Sequence, residues 1–348
     1  MQFREQVPLA PYTTFQIGGP ARWFAEAASE DDIVAGIAFA AEHRLPLFIL
    51  GGGSNLLVSD AGFSGLVLRV ALTGMTSTHK NGQFIVSAAA GEDWDGLVAY
   101  AVAANAAGVE CLSGIPGTVG GTPVQNVGAY GQEVSQTIVT VRAFDRKTLR
   151  FIDLTKSDCG FSYRRSLFNS TERERYVVTR VDYALRKDGP ASVVYADLAR
   201  HFADRSGAAP TLAEVREAVR SIRAQKGMLL VSGDPDCRSA GSFFKNPVVP
   251  VTVLDALAQE LGIEKRSIPA YPAQDGEVKL SAAWLIERAG YQKGFVLGNA
   301  GISSRHTLAL INRGGASAAE VVTLRDKLTD TIASRFGIRL EPEPVWLA

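Results

Sequence analysis

Several features that would point to particular protein classes are scarce or missing in this sequence. Its 36 lysine and arginine residues balance 36 aspartate and glutamate residues, so it lacks the charge excess typical of nucleic-acid binding or polybasic membrane attachment. No uninterrupted apolar run reaches the roughly 18 residues of a transmembrane helix. The opening, MQFREQVPLAPYTTF, has no hydrophobic signal core. We therefore expect a cytoplasmic protein that binds neither nucleic acid nor membrane.

Residues that bind metals or form disulfides are equally few. The three cysteines are widely spaced and odd in number, which fits a reducing compartment: Cys111, Cys159 and Cys237. The four histidines form no HExxH motif and there is no CxxC, so we expect no metal site. The motifs GxGxxG and GxxxxGK[ST] are also absent, which disfavours Rossmann and P-loop folds.

Glycine, in contrast, is abundant and clustered. The 34 glycines concentrate at 51–53 and 114–131, where glycine permits tight turns and close approach of the backbone to a ligand. GGGSN (51–55) lies between the apolar runs 47–50 and 56–58, so the loop joins strand to strand. Its backbone N–H groups can form an anion-binding nest, with Ser54 adding a hydroxyl. An ordinary turn between strands explains this motif equally well.

The second glycine cluster is more specific. IPGTVGGTPVQNVGAYG (115–131) combines glycines with Pro116 and Pro123 in a long loop that has few side chains to block a ligand. Gln125 and Asn126 offer amide contacts. Structural loops of this length are uncommon. Two such loops in one chain predict a diphosphate-bearing cofactor held largely by backbone.

Turn and cap signals predict a chain of mixed helices and strands. Helices are expected from Ser29, over 93–107, after the Thr211–Glu214 capping box, over 281–289, and up to Phe336, which Gly337 follows. Strands are expected at 21–27, 47–50, 83–88, 137–144, 149–153, 176–185, 308–312 and 338–347.

Other motifs suggest chemistry less strongly. FSYRRS places Tyr163 and Arg164 beside apolar residues, and Arg223 and Lys226 fall on one face of a predicted helix, where they can bind phosphate. Solvated surface pairs are the commoner explanation. In GSFFKNP, packed aromatics can position Ser242 as a proton donor. LEPEP supplies two carboxylates, although spacing alone favours an exposed edge strand.

In this order, GGGSN, IPGTVGGTPVQNVGAYGQE, FSYRRSLF, AGSFFKNP and KLSAAWLIERAG resemble the UDP-N-acetylenolpyruvoylglucosamine reductases, flavoenzymes of bacterial cell-wall precursor synthesis. The resemblance implies an α+β fold with a two-lobed FAD-binding domain of the vanillyl-alcohol-oxidase (PCMH) type, its lobes at 1–72 and 73–207. A separate α+β substrate-binding domain would occupy 208–348. Tyr195, in a loop at 186–198, resembles the substrate-capping tyrosine of the family's longer form. A monomer is expected.

The resemblance also implies a reaction. NADPH would reduce non-covalently bound FAD, which would pass the hydride to UDP-N-acetylglucosamine enolpyruvate and yield UDP-N-acetylmuramate. Arg164 would stabilise the developing negative charge, Ser242 would protonate the carbon with help from Lys226, and Glu343 would assist. The residues expected to bind FAD are Gly51, Gly52, Gly53, Ser54, Asn55, Gly117, Thr118, Gly121, Asn126 and Ala129. Those expected to bind the substrate are Tyr130, Tyr163, Tyr195, Arg223, Lys226 and Asn246.

Two other interpretations stay open. Another FAD oxidase or dehydrogenase of the same wide fold would explain the glycine loops but not GSFFKNP with a terminal acid. A non-catalytic nucleotide-binding module is disfavoured by the presence of Arg164, Ser242 and Glu343. Glu341 is the alternative terminal acid, and Val345 stands where the family often has an arginine.

Overall fold

The computed structural model describes residues 1–80, 82–274 and 276–348. The chain divides into two compact units. The first comprises Met1–Val7, Ala21–Gly53 and Ser64–Gln225, and the second comprises Pro8–Pro20, Ser54–Phe63 and Lys226–Ala348.

The described ranges contain both strands and helices. The strands, numbered in chain order, are β1 (Arg4–Pro8), β2 (Pro20–Ala27), β3 (Leu47–Leu50), β4 (Leu56–Val58), β5 (Phe63–Val70), β6 (Met75–Lys80), β7 (Gln83–Ala89), β8 (Ala106–Ala107), β9 (Gly128–Ala129), β10 (Gln132–Glu133), β11 (Ile138–Asp145), β12 (Arg150–Thr155), β13 (Tyr176–Lys187), β14 (Val248–Pro250), β15 (Ala270–Pro272), β16 (Glu277–Leu280), β17 (Val296–Leu297), β18 (Ala300–Ile302), β19 (Leu310–Asn312) and β20 (Val345–Leu347). The α-helices are α1 (Glu30–Glu42), α2 (Trp94–Ala103), α3 (Ala196–His201), α4 (Leu212–Gln225), α5 (Val253–Leu261), α6 (Ala282–Arg288) and α7 (Ala318–Phe336). Among the described residues, none of these helices combines the length and apolar character that crossing a membrane requires.

The first unit contains two sheets that share one apolar core. One sheet has the order β1-β2-β5-β3, with β3 and β5 parallel. The other runs β12-β11-β13-β7-β6 in antiparallel pairs, and β8 joins it by pairing with β13. The core includes Leu66 and Leu68 from the first sheet and Val86 and Tyr183 from the second, all fully buried. Burial of this apolar surface is the main stabilising term of the unit.

Helix caps in the first unit follow the sequence signals closely. The Ser29 side chain accepts a hydrogen bond from the Asp32 N–H and begins α1, and Asp93 accepts one from the Gly96 N–H and begins α2. The predicted extension of α2 to residue 107 is wrong. The helix ends at Ala103 because Asn105 adopts a left-handed conformation (φ 50°) and β8 pairs with β13 instead.

Helix α4 belongs to the first unit, although the predicted domain boundary at 207/208 placed it in the second. The Thr211–Glu214 capping box forms as predicted, with each backbone N–H donating to the other residue's side chain. The apolar face of α4 packs in one buried cluster with Cys111, Tyr130 and Leu198. This packing makes α4 part of the first unit, and the local sequence does not indicate it.

The described residues of the second unit form small sheets and three α-helices. Its antiparallel sheets have the orders β14-β16-β15 and β17-β18-β19, and β4 pairs in parallel with β20. The predicted apolar face of α7 is buried, and Gly337 ends the helix in a left-handed conformation (φ 67°). The predicted strand over 338–347 is too long. Only Val345–Leu347 forms a strand, since Pro342 and Pro344 lack the N–H that a sheet requires.

Candidate functional site

The two glycine-rich loops contact each other in the first unit. Gly51 and Gly52 follow β3 directly. A Cβ on Gly52 would lie 2.6 Å from the Cα of Gly117 and 3.1 Å from the Thr118 nitrogen, so only glycine permits this approach. A Cβ on Gly51 would lie 3.0 Å from the Thr118 hydroxyl oxygen. The two motifs thus form one backbone-lined wall.

Thr118 places a hydroxyl in this wall that has no partner in the part of the chain that the structure describes. The Oγ1 atom is buried and makes no hydrogen bond. An unsatisfied buried hydroxyl costs roughly 1–3 kcal/mol, so it needs an acceptor or donor from outside the chain. A cofactor with ribityl and diphosphate oxygens, such as FAD, fits that requirement.

Backbone hydrogen bonds fix the second loop to the end of β7 and the start of α2. The Trp94 N–H donates to the Gly117 carbonyl (3.1 Å), the Val119 N–H to Glu92 (2.9 Å) and the Gly120 N–H to Ala90 (2.8 Å). The exposed Gly121 follows, with open space where a Cβ would stand. The loop is therefore rigid at its base and uncrowded at its surface.

Asn126 organises the far end of the loop through its side chain. Its amide nitrogen donates to the Glu133 carboxylate (2.9 Å) and the Ser162 carbonyl (3.0 Å), and its oxygen accepts from the Ser135 N–H (3.1 Å). The residue is buried with a φ of 45°. Direct contact of this amide with a cofactor stays a prediction.

Arg164 lies against the same loop. Its Nη2 donates to the Gly128 carbonyl at 2.7 Å, and its guanidinium carbon lies 5.3 Å from the centroid of the Tyr163 ring. The backbone of Arg164 is in the left-handed region (φ 55°), where non-glycine residues are uncommon. Gly128 also begins β9, which ends at Ala129. The structure therefore brings the FSYRRS motif to the glycine-rich loop.

Two of the three tyrosines predicted to bind substrate form an edge-to-face pair. The rings of Tyr130, which is buried, and Tyr195, which is 43% exposed, lie 5.4 Å apart. A Cβ on Gly131 would lie 3.1 Å from the Val194 side chain, so glycine lets the 186–198 loop pack closely here.

Arg223 is buried in the first unit. Its Nε donates to the Gly114 carbonyl (3.1 Å), and it also hydrogen-bonds the Tyr130 side chain. Burial lowers the pKa of its guanidinium. The predicted shared helix face of Arg223 and Lys226 is wrong, because α4 ends at Gln225 and Lys226 begins the next segment of the second unit.

In the second unit, the segments that contain Ser242 and Glu343 lie side by side. The Glu343 N–H donates to the Phe243 carbonyl (2.8 Å), and the Lys245 N–H donates to the Glu341 carbonyl (3.0 Å). Phe243 and Phe244 are buried and pack edge-to-face at 5.3 Å. Two motifs about 100 residues apart in sequence are thus neighbours, as a shared catalytic role requires.

The geometry distinguishes the two terminal glutamates. The Glu341 side chain is 71% exposed and accepts from the Lys245 ammonium (2.6 Å). Glu343 is half-buried, and the Asn55 amide donates to its carbonyl (3.3 Å). Ser54 and Asn55 belong to this unit, and the Asn246 side-chain oxygen accepts from the first N–H of α6 (3.0 Å). The Glu341 carboxylate is thus paired with Lys245 at the surface, and the choice of Glu343 as the acid stays a prediction.

The sequence-based predictions did not include two carboxylates that each accept several hydrogen bonds. Asp95 accepts from Arg216, Arg220 and the Gly114 N–H, and the fully buried Glu110 accepts from three segments of the first unit. The four-residue spacing of Arg216 and Arg220 on α4 is a signal for a shared partner. Nothing in the local sequence identifies that partner.

Comparison with known proteins places the chain in a family. Residues 21–148 match the FAD binding domain model, and 234–347 match the C-terminal domain model of UDP-N-acetylenolpyruvoylglucosamine reductase. The reductase of that name from Thermobifida fusca is 47% identical over 351 residues, covering 99% of this chain and 98% of that protein. The one from Nocardia farcinica is 48% identical over 347 residues, covering 98% and 89%. The crystal structure of the Thermus caldophilus reductase aligns with a TM-score of 0.67 at 25% identity over 100% of both chains. The chain therefore belongs to the UDP-N-acetylenolpyruvoylglucosamine reductase family and is an oxidoreductase with a FAD-binding domain and the predicted α+β fold.

Proposed function

We propose that this protein uses NADPH to reduce UDP-N-acetylglucosamine enolpyruvate to UDP-N-acetylmuramate in peptidoglycan precursor synthesis, as a cytoplasmic monomer. The observation that carries the proposal is the pairing of the Ser242 segment with the Glu343 segment in the second unit. A hydroxyl and a carboxylic acid on two paired segments suit protonation of carbon, a step that an alcohol oxidase or a binding module does not need. Full-length similarity to reductases of this name supports the same conclusion.

The first unit would hold FAD without a covalent bond. The backbone of Gly51–Gly53 and Gly117, together with the Thr118 hydroxyl, would bind the cofactor's polar groups, while Gly121, with open space where a Cβ would stand, leaves room beside the loop. Bound FAD supplies a hydride that it has received from NADPH. Asn126 would keep the loop in shape for this task.

Arg164 would stabilise charge. Addition of a hydride to the substrate's methylene carbon forms a C–H bond and moves the electron pair of the double bond to the adjacent carbon and its carboxylate. A guanidinium that is already oriented by the Gly128 carbonyl needs little reorganisation to stabilise that charge.

Ser242 would complete the reduction. Its O–H bond breaks as a C–H bond forms at the charged carbon, which yields the lactyl ether, and the serine oxygen then regains a proton from Glu343. A serine hydroxyl is a weak acid, so the positive charge of Lys226 would favour the transfer by stabilising the alkoxide.

The remaining predicted residues would bind the nucleotide sugar. Tyr163 and Tyr195 offer exposed rings and hydroxyls, and Asn246 would donate from its amide nitrogen, since its oxygen accepts from α6. Tyr130 and Arg223 are buried, so they would shape the site through the 113–131 loop.

Visible spectroscopy tests the proposal directly. The purified protein is expected to show flavin bands that bleach with NADPH and return, without oxygen, when UDP-N-acetylglucosamine enolpyruvate is added. A reduced flavin that only oxygen reoxidises would instead indicate the oxidase alternative. A protein that binds no flavin would exclude both.

A further inference from the structure

We propose that Asp95 is a positioning residue for the flavin, acting through the backbone of Gly114 at the start of the glycine-rich loop 113–121. The inference rests on FAD binding by the first unit and is independent of the reaction that the bound flavin serves. Asp95 itself lies in the first turn of α2.

The Asp95 carboxylate is the centre of a dense hydrogen-bond cluster. Its Oδ1 accepts from the Gly114 N–H (2.6 Å) and from Arg216 Nη1 (2.6 Å). Its Oδ2 accepts from Arg216 Nη2 (2.9 Å) and from Arg220 Nη1 (2.5 Å). Burial raises the pKa of this carboxyl, but the hydrogen bonds from Arg216 and Gly114 outweigh burial and lower it below its usual value. The group is therefore a charged acceptor at neutral pH.

Gly114 is held at both of its backbone polar groups. Its N–H donates to Asp95, and its carbonyl accepts from Arg223 Nε at 3.1 Å. Its φ of 69° makes glycine the suitable residue at this turn. Side chains from α2 and α4 thus fix the orientation of one peptide group on each side of the Gly114 Cα.

The position of Gly114 affects the backbone-lined wall in which Gly117 and Thr118 lie. Gly117 and Thr118 lie three and four residues further along the loop, and Gly117 already contacts Gly52 at the limit of close approach. Because Gly117 is packed tightly against Gly52, a displacement of the Gly114 backbone is expected to displace Thr118 as well. The Thr118 hydroxyl is buried and has no partner among the described residues. Loss of the Asp95 charge should therefore change flavin affinity and environment as well as stability.

The test compares Asp95→Asn with Glu30→Gln as a matched control. Glu30 is also a partly buried carboxylate of the first unit, bound by Nε and Nη2 of Arg142 (2.8 and 3.0 Å) and by the Thr179 hydroxyl (2.9 Å), and its partners lie in β11 and β13. The two variants remove the same charge from similar ion pairs. They differ in whether the pair touches the glycine-rich loop.

The readouts are the FAD dissociation constant of the reconstituted apoprotein, measured by flavin fluorescence, and the visible circular dichroism of the bound flavin. Asp95→Asn is expected to raise the dissociation constant about tenfold and to change the dichroism, while Glu30→Gln leaves both at wild-type values. An unchanged constant in Asp95→Asn, or an equal rise in both variants, would overturn the proposal.

Arg220→Gln keeps the test decisive if Asp95→Asn fails to fold. It removes one of the two guanidinium groups and retains the bidentate Arg216 pair. A rise in the FAD dissociation constant of about threefold supports the proposal, and a wild-type constant contradicts it.

Discussion

In the part of the chain that the structure describes, the buried Thr118 hydroxyl has no partner, so its contribution to binding can be separated from its contribution to folding. Thr118→Val keeps the shape of the side chain and removes the hydroxyl. We expect FAD affinity to fall about 3- to 10-fold, as for loss of one hydrogen bond, while the free energy of unfolding of the apoprotein does not fall, because the hydroxyl makes no hydrogen bond with the described residues. Apoprotein titration with FAD and urea unfolding measure the two quantities.

Thr122→Val is the matched control for that experiment. The Thr122 hydroxyl is buried like that of Thr118 but is bonded to the Val119 carbonyl (2.8 Å) and the Tyr183 hydroxyl (2.7 Å). Its loss should lower the free energy of unfolding by about 1–2 kcal/mol and leave FAD affinity unchanged. If Thr118→Val behaves like Thr122→Val, the Thr118 hydroxyl does not bind the cofactor.

Ser242 has a role in only one half of the proposed reaction. Ser242→Ala is expected to leave reduction of the flavin by NADPH close to wild type. Reoxidation by the enolpyruvyl substrate should slow by about 10²- to 10⁴-fold, because the carbon loses its proton donor. Stopped-flow absorbance of the flavin follows both half-reactions in one preparation. Equal slowing of the two would rule out a role as proton donor.

Elements with explicit end signals were predicted best. Ser29, the Thr211–Glu214 pair and Gly337 mark ends of α1, α4 and α7 as expected, because caps act within a few residues of sequence. The end of α2 was missed, since β8 forms by pairing with a strand about 80 residues away. Local propensity holds no information about such a partner.

In the candidate site, too, features that lie within one sequence segment were predicted and those that join distant segments were not. The clustering of glycines along the sequence identified both loops as places of close backbone approach. The contact between Gly52 and Gly117, however, joins segments about 65 residues apart and appears only in the folded chain. Asp95 and Glu110 were missed for the same reason, since their importance lies in partners that the tertiary fold assembles.

Glu110 links three elements of the first unit. Its buried carboxylate accepts from the N–H of Gly108 after β8 (2.7 Å), from Gln132 of β10 (2.8 Å) and from the N–H of Ser192 in the 186–198 loop (3.0 Å). Glu110→Gln turns an amide donor toward at least one of these donors. We expect the free energy of unfolding to fall by about 2 kcal/mol, and the substrate KM to rise more than kcat falls, since the loop carries Tyr195.

Thermal unfolding and steady-state kinetics measure these two effects. Asp188→Asn is the control, because Asp188 lies in this loop but is exposed, and its carboxylate accepts from Asn105 (2.8 Å). Its effect on both quantities should be small. A Glu110→Gln protein with wild-type KM would show that Glu110 does not anchor the Tyr195 loop.

Across the whole molecule, positive and negative side chains are equal in number. The change in unfolding free energy as the pH falls therefore depends on individual titratable side chains and not on an excess of one charge. In the first unit, the Arg175 guanidinium hydrogen-bonds Asp145 and holds the pKa of that buried carboxyl well below its usual range. Its stabilising effect is complete above about pH 4, the pKa in an unfolded chain, and is lost only as the pH falls further. Any loss of stability above pH 4 must come from other groups.

His306, in the second unit, is such a group. Burial, with smaller effects of Lys226 and Lys293, lowers the pKa of its imidazole from 6.5 to about 4. Between those values the unfolded chain binds a proton that the folded chain does not, so stability falls as the pH drops from about 6.5 to about 4. The full difference is on the order of 3 kcal/mol. His306→Gln should remove this part of the pH dependence.

Urea unfolding of the apoprotein at constant ionic strength and at pH 7.5, 6.5, 5.5 and 4.5 measures the effect. The difference in unfolding free energy between pH 7.5 and 4.5 is expected to be smaller in His306→Gln than in wild type by about 2–3 kcal/mol. His79→Gln, at an exposed position on the edge strand β6, serves as the control and should keep the wild-type profile. Parallel profiles for wild type and His306→Gln would mean that the imidazole takes up its proton in the folded state as readily as in the unfolded chain.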